Sequence, residues 1–257
     1  TLFPYTTLFR SKLRSIAARL ILAISLTVAV ACAILGGFSI SQQRALTRLA
    51  LDQQLKLQYD SVIAAIDYEG RTALAVSAVI AALPPVEEAI AKGDRDGLGK
   101  LLGAPWAAIK AQGIPLISFW QAPATSFYRI HTPKIFGDDA STRRITVVES
   151  IKAGRPIVGV EPAREALSIF GMTPVMRDGK TLGNVDIGVA FGKEFVDRAK
   201  KRFGIDLAVH SFDGQNFKRL SSTFGDSVVA TPDELKSVMN GAAVLRDAEI
   251  GRASCRE

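Results

Sequence analysis

The chain has 257 residues, with 32 Lys and Arg against 25 Asp and Glu, two His, two Cys and a formal charge of +7. Its basic residues are scattered among acids with no stripe of interleaved aromatics, which argues against a nucleic-acid surface. The 48% hydrophobic content supplies a core of ordinary size, and so few cysteines exclude a disulfide framework.

The two ends read differently from the rest. Thr1 to Ser11, TLFPYTTLFRS, is identified as the codon-by-codon translation of a common sequencing-library adapter, and Ile250 to Glu257, IGRASCRE, as that of its reverse complement. Glu249 straddles the second junction. Residues 1–11 and 249–257 are therefore expected to be adapter-derived, and the native stretch to run from Lys12 to Ala248. Cys255 and three arginines (Arg10, Arg252, Arg256) leave with the ends, so the native part is only mildly basic and keeps Cys32 alone.

After a short basic segment, residues 12–19, the stretch from Leu20 to Ile40 carries no charge over 21 residues. That is the length an α-helix needs to cross about 30 Å of hydrocarbon. Lys12, Arg14 and Arg19 precede it and Gln42 and Gln43 follow, so the positive-inside rule places the N-terminus in the cytoplasm and all that follows outside. A cleaved leader would have a shorter apolar region.

Residues 41–115 read as a helical stalk. Arg44 to Leu83 contains no proline and spaces Leu55, Tyr59, Val62 and Ile66, then Val76, Ile80 and Leu83, as an amphipathic helix does. Pro84 and Pro85 stop or kink it. Val86 to Ala91 is a further helical turn or two, Lys92 to Asp96 a turn, and Leu98 to Ala111 a helix ending at Gly113.

Short β-like runs then begin. Strands are expected at 116–121, 126–131, 157–161, 167–176, 182–191, 206–212 and 217–222, with helices at 141–153 and 193–203. Asp178-Gly179 and Asp213-Gly214 supply the positive φ of tight hairpin turns. The fold class is α+β: a transmembrane helix and a long stalk helix leading into a mainly antiparallel sheet.

The residues from Ala122 to Gly192 resemble the double-Cache sensor domains found outside the membrane in bacterial methyl-accepting chemotaxis proteins. The resemblance rests on Phe127-Tyr128-Arg129-Ile130-His131 with Pro133, Phe136-Gly137-Asp138-Asp139, Thr146-Val147-Val148-Glu149, and the hairpin from Pro174-Val175 through Asp178-Gly179 to Gly183 and Gly188. With the preceding helix it covers nearly all of residues 44–248. It implies a PAS-like (Cache) fold, with a membrane-distal module at 116–203 that holds the ligand and a smaller proximal module, incomplete here, at 204–248. One departure is Ala163-Arg164-Glu165-Ala166, where a Gly-Arg-Ala-Gly-like step is expected.

Alternation places Arg129 and His131 on one face of their strand, and Asn184 and Asp186 on one face of theirs. If both faces line one cavity, Arg129 holds a ligand carboxylate bidentately and Asp186 receives an amine or hydroxyl. The alternative is that Arg129 and Asp186 pair with each other or lie on the wet side of the sheet. Trp120 and Tyr128 form an aromatic wall, or belong to the core. Glu161 and Arg164, flanking Pro162 at a strand end, are rim candidates. Arg143 and Arg144 open a helix, where a cation opposes the dipole, so an anionic partner is expected beside them. His131, Asp138 and Asp139 form the one cluster of metal-ligand types, and the two aspartates are read as caps of the helix at 141–153.

No nucleophile elbow, zincin-type His pair or phosphate loop occurs, so no catalytic residue, cofactor or metal is assigned and the chain is not read as an enzyme. The expectation is a periplasmic sensor anchored by one remaining span in the bacterial cytoplasmic membrane, a homodimer through its stalk helix, which binds a small organic ligand. Ligand-biased helix displacement would pass the signal to cytoplasmic proteins through an output domain beyond Ala248. The same sensor on a histidine kinase or diguanylate cyclase is the second reading, and a membrane-anchored structural or protein-binding domain is the third.

Overall fold

No proline falls between Tyr5 and Leu83, and helix α1 runs from Ile16 to Ala81. The computed structural model describes residues 16–163, 167–242 and 244. The adapter-like ends, residues 1–11 and 249–257, lie outside the described residues, as does Arg164.

The chain divides into two units at Tyr59 and Asp60. In the first unit α1 leaves its apolar side chains exposed, among them Leu22, Ile24, Leu26, Val28, Ile34 and Leu35. It is the one helix among the described residues long and apolar enough to cross a membrane.

In the second unit α1 ends at Ala81, and the two prolines open a new helix instead of only closing the old one. They occupy the first positions of α2, Pro84–Lys92, where a missing N–H costs nothing, and α2 closes on Gly93 at φ 72°. Helix α3, Arg95–Ala111, starts three residues before the expected Leu98 because the Asp94 side chain accepts the Gly97 N–H at 2.8 Å.

Five antiparallel strands follow: β1 (Leu116–Gln121), β2 (Thr125–Arg129), β3 (Ile157–Pro162), β4 (Leu167–Arg177) and β5 (Lys180–Ala190), in the order β2-β1-β5-β4-β3. The β4–β5 hairpin turns on Asp178 at φ 49° and Gly179 at φ 74°, the two left-handed residues of a primed turn. Beyond the sheet lie α5 (Lys193–Phe203), a two-stranded sheet of β6 (Ala208–Phe212) and β7 (Phe217–Ser222), and α6 (Pro232–Met239). Sequence reading passed over α6, although Thr231 and Glu234 spell a capping box, and both of its hydrogen bonds are made.

Period-two alternation gives the large sheet two buried faces. Ile117 and Phe119 of β1 and Val185, Ile187 and Val189 of β5 pack with Ala73 and Ile80 of α1, Val86 and Ile90 of α2, and Leu98 and Leu102 of α3. Each such large side chain removed from water contributes about 1.5–3 kcal/mol. The opposite face presents Trp120, Phe170 and Met172 to Val147 of α4, Ile145–Ala153. The candidate site lies on this second face.

Candidate ligand cavity

Strands β1, β2, β4 and β5 turn Ser118, Trp120, Arg129, Asn184, Asp186, Ser168 and Phe170 to the α4 side, as the pairings Ser118↔Arg129, Ser118↔Asp186 and Phe170↔Gly188 require. A cavity of about 410 Å³ opens there. Trp120, Phe170, Leu116 and Ser118 form its floor; the loop after β2 adds His131, Thr132 and Ile135; Trp106 and Lys110 come from α3; Arg143 and Arg144 come from the start of α4. Its size is that of a small-molecule site, and its wall is apolar with a few converging polar groups.

Two arginine networks brace the wall. Arg129 donates to both oxygens of Asp138, at 2.7 and 2.9 Å, and to the Ile135 carbonyl at 3.0 Å. This fork ties the loop after β2 to the sheet. Arg144 donates through Nε to Glu161 at 3.0 Å and through a terminal nitrogen to Asp186 Oδ2 at 2.8 Å. The same Asp186 oxygen accepts the Trp120 indole N–H at 3.0 Å. Arg144 also lies over Phe170, with Cζ 3.6 Å from the ring centroid, while Arg129 and Arg144 stand 5.1 and 5.4 Å from the Trp120 ring centre.

Glu161 ties α4 into this arrangement. Its Oε1 accepts the Thr146 backbone N–H at 2.8 Å, and its Oε2 accepts the Thr146 hydroxyl at 2.6 Å and Arg144 Nε. An acid from β3 thus caps α4, whose own N-cap residue, Arg144, makes no side-chain capping bond. The anionic partner expected beside Arg143 and Arg144 is here: Glu161 and Asp186 for Arg144, and Asp138 for Arg143 at 3.4 Å.

The ionisation of the acids follows their surroundings. Asp186 is fully enclosed, and burial pushes its carboxyl upward despite the opposing pull of Arg144 and the Trp120 N–H. Its Oδ1 has no hydrogen-bond partner among the described residues. Asp139 sits at the surface and is held down by the Ser141 backbone N–H.

The expected site residues separate into three groups. Trp120, Arg129 and His131 stand in the cavity wall. Glu161 and Asp186 lie behind it, both bound to Arg144, so Glu161 is not a rim residue and Asp186 is not the open acceptor for an amine or hydroxyl that alternation suggested; nor do Arg129 and Asp186 pair with each other. Tyr128 belongs to the other face: it is opposite Phe119 in register, joins the helix-side core, and its hydroxyl sits against Gly99 of α3. Burial, with Asp96 nearby, raises the Tyr128 phenol. Arg164 lies outside the described residues.

The aspartate caps are also corrected. Asp138 holds Arg129, Asp139 accepts the Ser141 N–H in a local turn at 2.9 Å, and α4 begins only at Ile145 under Glu161. Among the described residues no cluster of His, Cys, Asp and Glu has a metal-binding arrangement.

Sequence reading missed Trp106, Lys110, Ser118 and Phe170. Ser118 shares its alternate face with Trp120, and Phe170 shares its own with Ser168, so both carried a readable signal. Trp106 and Lys110 carried none, because only the packing of α3 brings them to the mouth.

Comparison with known proteins agrees with this architecture. The ligand-binding domain of the Campylobacter jejuni chemoreceptor Tlp3, solved in complex with 4-methylisoleucine, is 15% identical, with 73% of this chain and 75% of that one covered and a TM-score of 0.50. The same domain in complex with L-norvaline gives 16%, 74%, 76% and 0.50. The V. cholerae histidine kinase DctB sensor domain is 12% identical, with 77% of each chain covered and a TM-score of 0.50. At these identities the likeness is one of fold. A search of curated proteins gives no match. A sequence profile described as the double sensory domain of two-component sensor kinases matches residues 48–249, and the chain belongs to that double-Cache sensor family.

Proposed function

We propose that the chain detects a small organic molecule outside the cytoplasm and signals through α1 to an output domain. The observation that carries this reading is the cavity of about 410 Å³, walled by both tryptophans of the chain and braced by two arginine networks, on the sheet face opposite α1. The complexes of Tlp3 with amino-acid ligands are in keeping with a small organic ligand.

Residues 20–40 serve as a span in the bacterial cytoplasmic membrane, with the sensor in the periplasm, as the flanking charges direct. The five-stranded sheet is the membrane-distal, ligand-holding module at 116–203, and β6, β7 and α6 belong to the proximal module at 204–248. Exposed apolar residues on α1, such as Leu46, Leu49 and Leu55, suit pairing with a second copy. Binding biases α1 between two positions, which requires different ligand affinity in each.

The output is read as that of a methyl-accepting chemoreceptor, acting on cytoplasmic signalling proteins. The family's description favours a second reading, a two-component kinase. The output module found in the same polypeptide decides between them: a second span and heptad-rich helix belong to the first, a kinase or cyclase domain to the second. Sensing itself is tested by thermal shift of the full chain in detergent against acids, amines and metal salts. A raised melting midpoint with a small organic compound is the expected result. A flat screen together with tight capture of a protein partner would overturn it.

A further inference from the structure

We infer that the cavity selects an organic acid with an apolar body and discriminates against free amino acids and amines. This rests on the sensor reading above and adds the charge of the ligand. Four cations, Lys110, Arg129, Arg143 and Arg144, stand in the wall, and none of its described residues is an acid. Three carboxylates lie behind or beside them, and each is bound to arginine: Asp138 to Arg129 and Arg143, Glu161 and Asp186 to Arg144.

A ligand ammonium meets no acid in the wall, because Glu161 and Asp186 lie behind it and Asp138 beside it, each already neutralised by arginine. Asp186 Oδ1, which has no partner among the described residues, is enclosed with a side chain that is 0% exposed. Burial also pushes the Asp186 carboxyl upward, which weakens the negative charge of the network. The surplus is a cation. Lys110 makes no ion pair among the described residues and lies 5.0 Å over the Trp106 ring at the mouth. A ligand carboxylate completes this charge set, while an α-ammonium beside it meets a like-charged wall. Trp106, Trp120, Phe170, Leu116 and Ile135 offer the ligand's body a mainly apolar surface.

The test uses the chain's own signal, because its two tryptophans both line the cavity and their emission reads its occupancy. The full chain in detergent micelles is titrated with two matched sets: pentanoate, L-norvaline and butylamine, then 3-phenylpropanoate, L-phenylalanine and phenethylamine. In at least one set the acid is expected to bind on the order of tenfold or more tighter than its amino acid, with the amine silent. Lys110→Gln and Arg143→Gln, both substitutions at partly or fully exposed positions, are each expected to weaken the acid severalfold. An amino acid that binds as well as its acid overturns the inference and leaves the sensor reading standing. So does silence of all six probes when the wider thermal-shift screen finds a ligand that is not an organic acid. Silence in both experiments overturns the inference and the sensor reading together. Unchanged acid affinity in both variants overturns the charge assignment.

Discussion

Glu161, on the edge strand β3, accepts at 2.8 Å the backbone N–H of Thr146, fifteen residues before it in the chain, and so caps helix α4. The same carboxylate holds Arg144, whose positive charge would otherwise face the positive end of the α4 dipole. Glu161→Ala removes the cap and leaves Arg144 with Asp186 alone, an expected loss of about 3 kcal/mol. For a chain of this size that lowers the thermal midpoint by roughly 6–12 °C. Glu161→Gln keeps an acceptor for the Thr146 N–H and is expected to cost about half as much. A Glu161→Ala protein that melts with the parent would show that α4 needs neither the cap nor the ion pair.

Asp186 gives stability a pH dependence of definite sign. Burial raises its carboxyl above the ordinary aspartate value of 3.8, so the folded state keeps its proton to higher pH than the unfolded chain does. Below the unfolded value both states are protonated and the group is neutral in the balance. As pH rises through the raised folded value, the folded state must release a proton that it binds more tightly, and stability is lost. Asp186→Asn has no such proton. Its stability minus that of the parent is therefore expected to climb as pH rises from about 4 towards neutrality, in paired urea melts across that range. A flat or falling difference would mean that Arg144 and Trp120 outweigh burial.

Much of this fold is legible in the alternation of side chains and the chemistry of turns. β1 and β7 occupy the ranges that alternation marks, and the β4–β5 turn takes the left-handed pair that Asp178-Gly179 predicts. The same rule puts Trp120 and Arg129 on the cavity side, and it already excludes Tyr128, which is adjacent to Arg129 and must point the other way. Pairing was not legible. Arg144 and Asp186 are 42 residues apart and meet only because α4 packs across β5; Arg129 and Asp138 meet through an irregular loop whose course no periodicity encodes. The start of α4 was misplaced for a related reason, since its cap is supplied by β3 and not by the local Asp138-Asp139.

At Gly171 the backbone of α1 lies directly against β4. A Cβ added there would lie 2.1 Å from the Leu74 backbone nitrogen and 2.6 Å from the Ala73 carbonyl carbon, atoms that no side-chain rotation can move. Two residues along, the Thr173 and Ser77 hydroxyls share a hydrogen bond of 2.8 Å, so this stretch of β4 fixes both the height and the register of α1. Gly70 makes a useful contrast, because the Cβ added there comes too close only to the Cγ1 of Val158, at 2.5 Å, a side chain 40% exposed on the edge strand, and meets Ile169 Cγ2 at an ordinary 3.5 Å. Gly171→Ala is expected to lift α1 and cost about 1–3 kcal/mol, as overpacking does elsewhere. Gly70→Ala should cost little, since alanine also favours the helix by about 1 kcal/mol. Chemical denaturation of the two variants side by side checks this. Equal stabilities would mean that α1 does not rest on Gly171.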